Sequence, residues 1–241
     1  MSRSADSVQA APRGHDATKP IPRGLLAPAV YIIDDDEGAR EGLANLLASE
    51  GMASASYASP QEFLRAWSPT DSGCVILDIR FPDESGLDFQ LQMNERGIAL
   101  PVILVTGFAD IESSVRGLKA GAIDFLLKPY DDGHLLSAIA DAFEQDASRV
   151  RRERDQANLV DRFATLTLRE QQVFSLVVRG LMNKQVAAAM NLSEITVKVH
   201  RGSMMRKMDL RTLADLVRAS ERLIEMRLLA DVSLNSTRRS R

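Results

Sequence analysis

The chain has 241 residues, 45% hydrophobic and 26% charged, with a formal net charge of −3. That length suits one large or two small domains, and the apolar fraction is ordinary for packed cores. No apolar run approaches the roughly 20 residues that span a bilayer, no secretory h-region opens the chain, and the lone Cys74 excludes an internal disulfide. A cytoplasmic protein with no membrane partner is expected.

The small net charge hides a division. Residues 28–146 carry 21 acids and 7 bases, a net −14, whereas residues 147–241 carry 10 acids and 19 bases, a net +9. An acidic part can collect a cation and a basic part can meet a polyanion, although two solvated surfaces of opposite sign would look the same.

Residues 1–27 hold Pro12, Gly14, Pro20, Pro22 and Gly24 among small polar residues and read as a disordered leader. Strands then alternate with amphipathic helices. Residues 29–33 form an apolar run, followed by a helix through Leu43, Leu46 and Leu47. A weaker strand over 52–57 precedes a helix capped by Ser59 with Pro60 at its first position, burying Phe63, Leu64 and Trp67. Residues 74–77 read as a strand buried on both faces, with Asp78 at its carboxyl end and a helix near 84–96. Further strands over 102–105 and 123–127 flank a helix through Ile111, Val115 and Leu118, and a last helix starts near Asp131. Five such units imply a doubly wound parallel α/β sheet.

Polar residues stand where these strands end: Asp34, Asp35 and Asp36, then Asp78, Thr106 and Lys128. Each alone has a plain explanation, a helix cap or an exposed turn. Together they share the carboxyl edge of one sheet, where ligands of open α/β folds gather. Clustered carboxylates need a cation, and hard oxygen donors with an incomplete shell suit Mg²⁺. Lys128 adds a point charge and Thr106 a hydroxyl. Such a set can hold the oxygens of a phosphoryl group in transfer, with Asp78 as the nucleophile.

These residues resemble the receiver domain of two-component response regulators, over about residues 28–146 and with a flavodoxin-like sheet. The resemblance implies that Asp78 accepts phosphate from a sensor histidine kinase. It implies Mg²⁺ ligation by Asp35, Asp78 and the backbone carbonyl of Arg80, with Asp34 acting through water. It also implies a switch in which the Thr106 hydroxyl moves to the phosphate and Phe125 turns inward. Phe81 stands where the family usually has methionine, and Phe108 where small or polar residues are common. Arg80 and Phe108 would flank the path of hydrolytic water.

Residues 147–163 read as an exposed helical linker that extends the fifth receiver helix; its arginines suit a solvated face. Thr167 and Glu170 have the spacing of a capping box, and their helix buries Val173, Leu176 and Val177. Helices over about 183–190, from Ser193 to about Met208, and from Thr212 onward complete a four-helix, all-α helix-turn-helix domain over 164–230. On the third helix Ile195, Val199 and Met205 are assigned inward. Residues 231–241 read as a disordered basic tail.

Thr167 to Glu170, Gly180 to Lys184 and Thr196 to Arg201 together resemble the LuxR-type output domain. With the receiver, the whole resembles the NarL/FixJ group, nearest its FixJ-like branch. The family implies that Lys198 and Val199 approach the major groove of double-stranded DNA. Arg201, Arg206 and Lys184 are assigned to phosphates. Gly202 falls where some members carry a basic contact residue.

The expected function is transcription control: phosphorylation of Asp78 drives homodimerisation and DNA binding, with RNA polymerase as a further candidate contact. A phosphatase of the haloacid dehalogenase type is the enzymatic rival, but it wants an acid two residues after the nucleophile, where this chain has Arg80. A phosphorylation-independent DNA-binding protein and a protein-binding adaptor stay open.

Overall fold

The structure is a computed structural model that describes residues 28–108 and 111–226. The expected leader over 1–27 and tail over 231–241 lie outside the described residues. The chain divides into two compact units, with the boundary between Val150 and Arg151.

The first unit holds strands β1 (Ala29–Ile33), β2 (Ser54–Tyr57), β3 (Gly73–Asp78), β4 (Val102–Thr106) and β5 (Asp124–Leu127). All pair in parallel, in the order β2-β1-β3-β4-β5. Helices α1 (Glu37–Ser49), α2 (Pro60–Ala66), α3 (Gly86–Glu95), α4 (Ile111–Lys119) and α5 (Asp132–Ala164) follow the strands in turn. Every residue of β1, β3 and β4 is buried, so both faces of the sheet need apolar cover. Leu43 and Leu47 of α1 and Leu135, Ala138 and Ile139 of α5 cover one face together with Val30, Ile32 and Ile76. Phe63 of α2 and Leu87, Phe89 and Met93 of α3 cover the other, against Tyr31, Ile33 and Leu77. Leu64 and Trp67 pack against the same core but are only partly buried, whereas Phe63 is fully buried.

Helix starts follow the expected cap chemistry. Ser59 accepts from the Glu62 amide with Pro60 at the first position, and Asp36 accepts from the Ala39 amide. Gly86 opens α3 at a close approach: a Cβ there would lie 2.0 Å from the carbonyl oxygen of Asp78. Only glycine lets α3 begin directly against the end of β3.

The second unit contains α6 (Leu168–Val178), α7 (Asn183–Met190), α8 (Glu194–Lys207) and α9 (Leu213–Glu225). Thr167 and Glu170 form a capping box on α6, and Thr212 and Asp215 form another on α9. Asn191 closes α7 in the left-handed conformation, with φ 53°, and begins the turn into α8. Val173, Phe174 and Val177 form its core with Val197, Met204, Leu216 and Leu223.

Two sequence expectations need correction here. Leu159 and Phe163 do not belong to an exposed linker: Leu159 is buried in this core, and the Phe163 ring stands edge-on to Phe174 at 5.5 Å. Two apolar residues four apart make a stripe too short for periodicity to reveal. Ile195 and Val199 do not face inward; both are exposed, and Val197, Met204 and Met208 are the buried residues. The inward stripe passes through Arg201, a polar residue that breaks the apolar pattern. Met205, also assigned inward, is partly buried against the core. No helix among the described residues is long and apolar enough to cross a membrane.

Candidate functional site

In the strand order β2-β1-β3-β4-β5, the sequence order of the parallel strands reverses across the crevice between β1 and β3. Asp34 follows β1 there and Asp78 ends β3, and both are buried. Asp35 is exposed beside them, and one carboxylate oxygen from each of the three lies within 4.8 Å of the others. Lys128, just past β5, reaches across with its Nζ 2.5 Å from Asp34 Oδ2 and 2.6 Å from Asp78 Oδ2. The other oxygens are also held: Asp34 Oδ1 accepts from the Asp36 amide and Asp78 Oδ1 from the Arg80 amide, each at 3.0 Å.

Burial pushes the Asp34 carboxyl above its ordinary value, while hydrogen bonds from Lys128 and the Asp36 amide pull against it. Burial works to strip the Lys128 ammonium of its proton, but its bonds to Asp34 and Asp78 outweigh that, and it is held above the ordinary lysine value. Three carboxylates against one ammonium leave two negative charges uncompensated. Among the described residues no donor reaches the Asp35 carboxylate. An all-oxygen set with this charge deficit fits a hard dication such as Mg²⁺.

Thr106 is buried at the end of β4, next to the strand that carries Asp78. Its Oγ1 lies 3.3 Å from both the amide nitrogen and the carbonyl oxygen of Phe108, accepting from one and donating to the other. Phe125 pairs with Leu104 on β5 and is partly buried against that core. The register puts Leu104, Thr106, Phe125 and Leu127 on one side of the sheet. The exposed Phe108 ring carries the Arg80 guanidinium over its face, 4.5 Å from the centroid. The sequence-predicted residues Asp34, Asp35, Asp78 and Lys128 thus come together directly, Thr106 stands on the adjacent strand, and Phe125 lies one strand further.

In the second unit Lys184, Lys198, Val199 and Arg206 are exposed. Lys198 Nζ lies 3.8 Å from Glu194, one turn earlier on α8. Arg201 is partly buried, and its guanidinium donates to Asn183 Oδ1 of α7 at 2.9 Å, so it braces α8 against α7. Lys207 turns back to α6, 2.7 Å from Glu170 Oε2. Burial alone would push the Glu170 carboxyl up; hydrogen bonds from Lys207, Ser203 and Thr167 outweigh this and bring it down to about 2. Sequence reasoning saw Glu170 only as a cap and missed Lys207 as its partner. The spacing of 37 residues between them carries no local signal.

Residues 30–140 match the response regulator receiver domain, and residues 164–220 match the luxR family of bacterial regulatory proteins. Nodulation protein W of Bradyrhizobium diazoefficiens is 46% identical over 194 residues, 80% of this chain and 86% of its own. The transcriptional regulatory protein FixJ of Azorhizobium caulinodans is 40% identical, over 85% of this chain and 93% of its own. The chain belongs to the NarL/FixJ family of response regulators. Among solved structures, the response regulator StyR matches with a TM-score of 0.73 at 42% identity, covering 80% of this chain and 98% of that one. This response regulator therefore joins a receiver to a LuxR-type DNA-binding domain and regulates transcription. Its two domain types imply a histidine kinase on one side and DNA on the other.

Proposed function

We propose that Asp78 is the phosphoacceptor and that its phosphorylation switches the response regulator into a dimer that binds DNA. In the transfer, the N–P bond of a phosphohistidine on the kinase breaks and its electron pair stays on the imidazole nitrogen. An Asp78 Oδ–P bond forms in its place. Asp35, Asp78 and the Arg80 backbone carbonyl would hold Mg²⁺, with Asp34 acting through water. When bound, the ion supplies neutralising charge to the phosphoryl oxygens. Lys128 shifts from the Asp78 carboxylate to a phosphoryl oxygen, keeping its hold on Asp34. The Thr106 hydroxyl leaves the Phe108 backbone for a second phosphoryl oxygen, and Phe125 turns inward behind it.

The face made by α4 and β5 is the proposed dimer surface; Val115, Leu118 and Leu127 stand half-exposed there. Dimerisation sets two α8 helices on neighbouring major grooves of a two-fold site. Lys198 and Val199 approach the bases, while Arg206 and Lys184 meet phosphates; Arg201, expected from the sequence to do the same, is held by Asn183 and positions α8 instead. RNA polymerase is the further partner, and the cytoplasm is the expected compartment.

The single observation that carries the proposal is the Lys128 ammonium shared by Asp34 and Asp78 at the β1–β3 crevice, with Asp35 alongside. The test is incubation with a small phosphoryl donor plus Mg²⁺, read by intact mass and by sizing, on wild type and Asp78→Asn. Wild type should gain one alkali- and hydroxylamine-labile phosphoryl group and shift to a dimer, and D78N should do neither. A dimer shift that D78N also shows would turn the account to phosphorylation-independent assembly.

A further inference from the structure

The recognition helix carries an outward stripe that the core does not use. Ile195 is 75% exposed and Val199 66% exposed. They lie four residues apart and so share one face of α8. Gly202, three residues further on, continues the stripe. It is exposed, and a Cβ there would meet no atom within 4 Å. Glycine is a poor helix former, and nothing inside the unit requires it at this position. The stripe is thus two apolar side chains followed by a gap.

Its surroundings decide the occupant. Lys198 stands between Ile195 and Val199 in sequence, Arg206 is exposed a turn beyond Gly202, and Lys184 is exposed on α7 beside the Arg201–Asn183 contact. An apolar stripe framed by cations suits a polyanion whose readable surface includes apolar groups. In the major groove the one such group on a base edge is the thymine 5-methyl.

We propose that Ile195 and Val199 read thymine methyl groups, and that Gly202 leaves room for α8 to lie close to the DNA. This deepens, and rests on, the assignment of α8 as the DNA-reading helix. It adds Ile195 and Gly202 to the contact set and gives Val199 a stated chemical partner. Sequence preference then comes partly from methyl contact, so the half-site holds thymine opposite the amino-terminal half of α8.

The test starts from duplexes enriched by the full-length, phosphoryl-donor-treated protein from a random-sequence pool. Each thymine of the enriched site is then replaced singly by deoxyuridine, which removes one methyl and keeps every hydrogen-bonding group. One or two positions per half-site should lose about fourfold in affinity, the scale of one buried carbon. Ile195→Ala and Val199→Ala should each erase the thymine–uracil difference at one of those positions. Gly202→Ala should weaken thymine and uracil duplexes alike, with circular dichroism unchanged in all three variants.

Equal binding of thymine and uracil duplexes at every position would overturn the inference while leaving DNA binding by α8 intact. So would full discrimination retained by both I195A and V199A. A change in self-association of the DNA-free protein on Ile195→Ala would show that the stripe meets a second copy instead. If no duplex is enriched, the DNA-reading role of α8 falls, and this inference with it.

Discussion

Glu170→Gln should destabilise the second unit and leave the first untouched. The Glu170 carboxylate is buried at the start of α6 and anchors Lys207 near the end of α8, while capping its own helix through Thr167. Its fall from an ordinary 4.5 to about 2 corresponds to roughly 3 kcal/mol at 1.36 kcal/mol per pKa step. Lys207 is 34% exposed, so solvent screens part of the ion pair. Glutamine also keeps an acceptor for the Thr167 amide. About 2 kcal/mol is therefore expected, or about 10 °C in the melting of a unit this size.

The sign with pH follows from the direction of the shift. A carboxyl lowered in the folded state contributes fully above 4.5, and the contribution is lost as pH falls from there towards about 2. The wild-type advantage over E170Q should be constant at neutral pH and should vanish across that interval. Trp67 is the chain's one tryptophan and lies in the first unit, so its fluorescence follows that unit, whereas far-ultraviolet circular dichroism follows both. In urea, the E170Q change should appear in dichroism and be absent from fluorescence. Equal stability at neutral pH, or a difference that persists unchanged at pH 2, would refute the reasoning.

Three further outcomes are expected. Gly86→Ala puts a Cβ 2.0 Å from the Asp78 carbonyl, a backbone collision that should destabilise the first unit by about 3 kcal/mol in Trp67-monitored urea unfolding, and a loss below about 0.5 kcal/mol would contradict it. Asp146→Ala removes a buried carboxylate that accepts from the Ser72 hydroxyl at 2.6 Å and the Gly73 amide at 2.8 Å and pairs with Arg149. It too should lose about 3 kcal/mol by the same measurement. Phe108→Ala removes the ring under the Arg80 guanidinium and should shorten the life of the phosphoryl group on Asp78 several-fold. The decay of phosphorylated protein checks this, and a wild-type half-life no longer than that of the variant would count against it.

The sheet and its site were legible for physical reasons. Strands buried on both faces write continuous apolar runs, and the chemistry-bearing residues stand where those runs stop. Asp78, Thr106 and Lys128 are therefore placed on one edge by the sequence pattern alone. Helix caps were equally readable, because Ser59, Thr167 and Thr212 each act on the amide three residues away. What stayed hidden involves partners distant in sequence or polar residues at inward positions. Asp146 looks like one more acid on a solvated helix, and its partners lie 74 and 73 residues earlier. The inward face of α8 was misread because Arg201 occupies it, held by Asn183, and an arginine in a stripe counts against burial. Ile195 and Val199, the more conspicuous apolar pair, were then assigned inward when they are free to meet another molecule.

On the proposed reading, the geometry also limits what phosphorylation can do alone. The Thr106 hydroxyl holds only two 3.3 Å contacts to Phe108, at the long end of hydrogen-bond range. Exchanging them for a charge-assisted bond to a phosphoryl oxygen gains on the order of 1–2 kcal/mol, about a five- to thirtyfold bias. Moving a two-state equilibrium from 1:99 to 99:1 needs about 5.5 kcal/mol. Lys128 cannot supply much of the difference, because its ammonium already has two carboxylate partners before phosphorylation. The remainder has to come from surface that only the switched state buries. Val115, Leu118 and Leu127 are half-exposed, and covering them against a second copy gains about 1 kcal/mol each per protomer. Phosphorylation and dimerisation would then be two parts of one equilibrium: the phosphoryl group biases Thr106 and Phe125, and the apolar α4–β5 face completes the shift when it finds its partner.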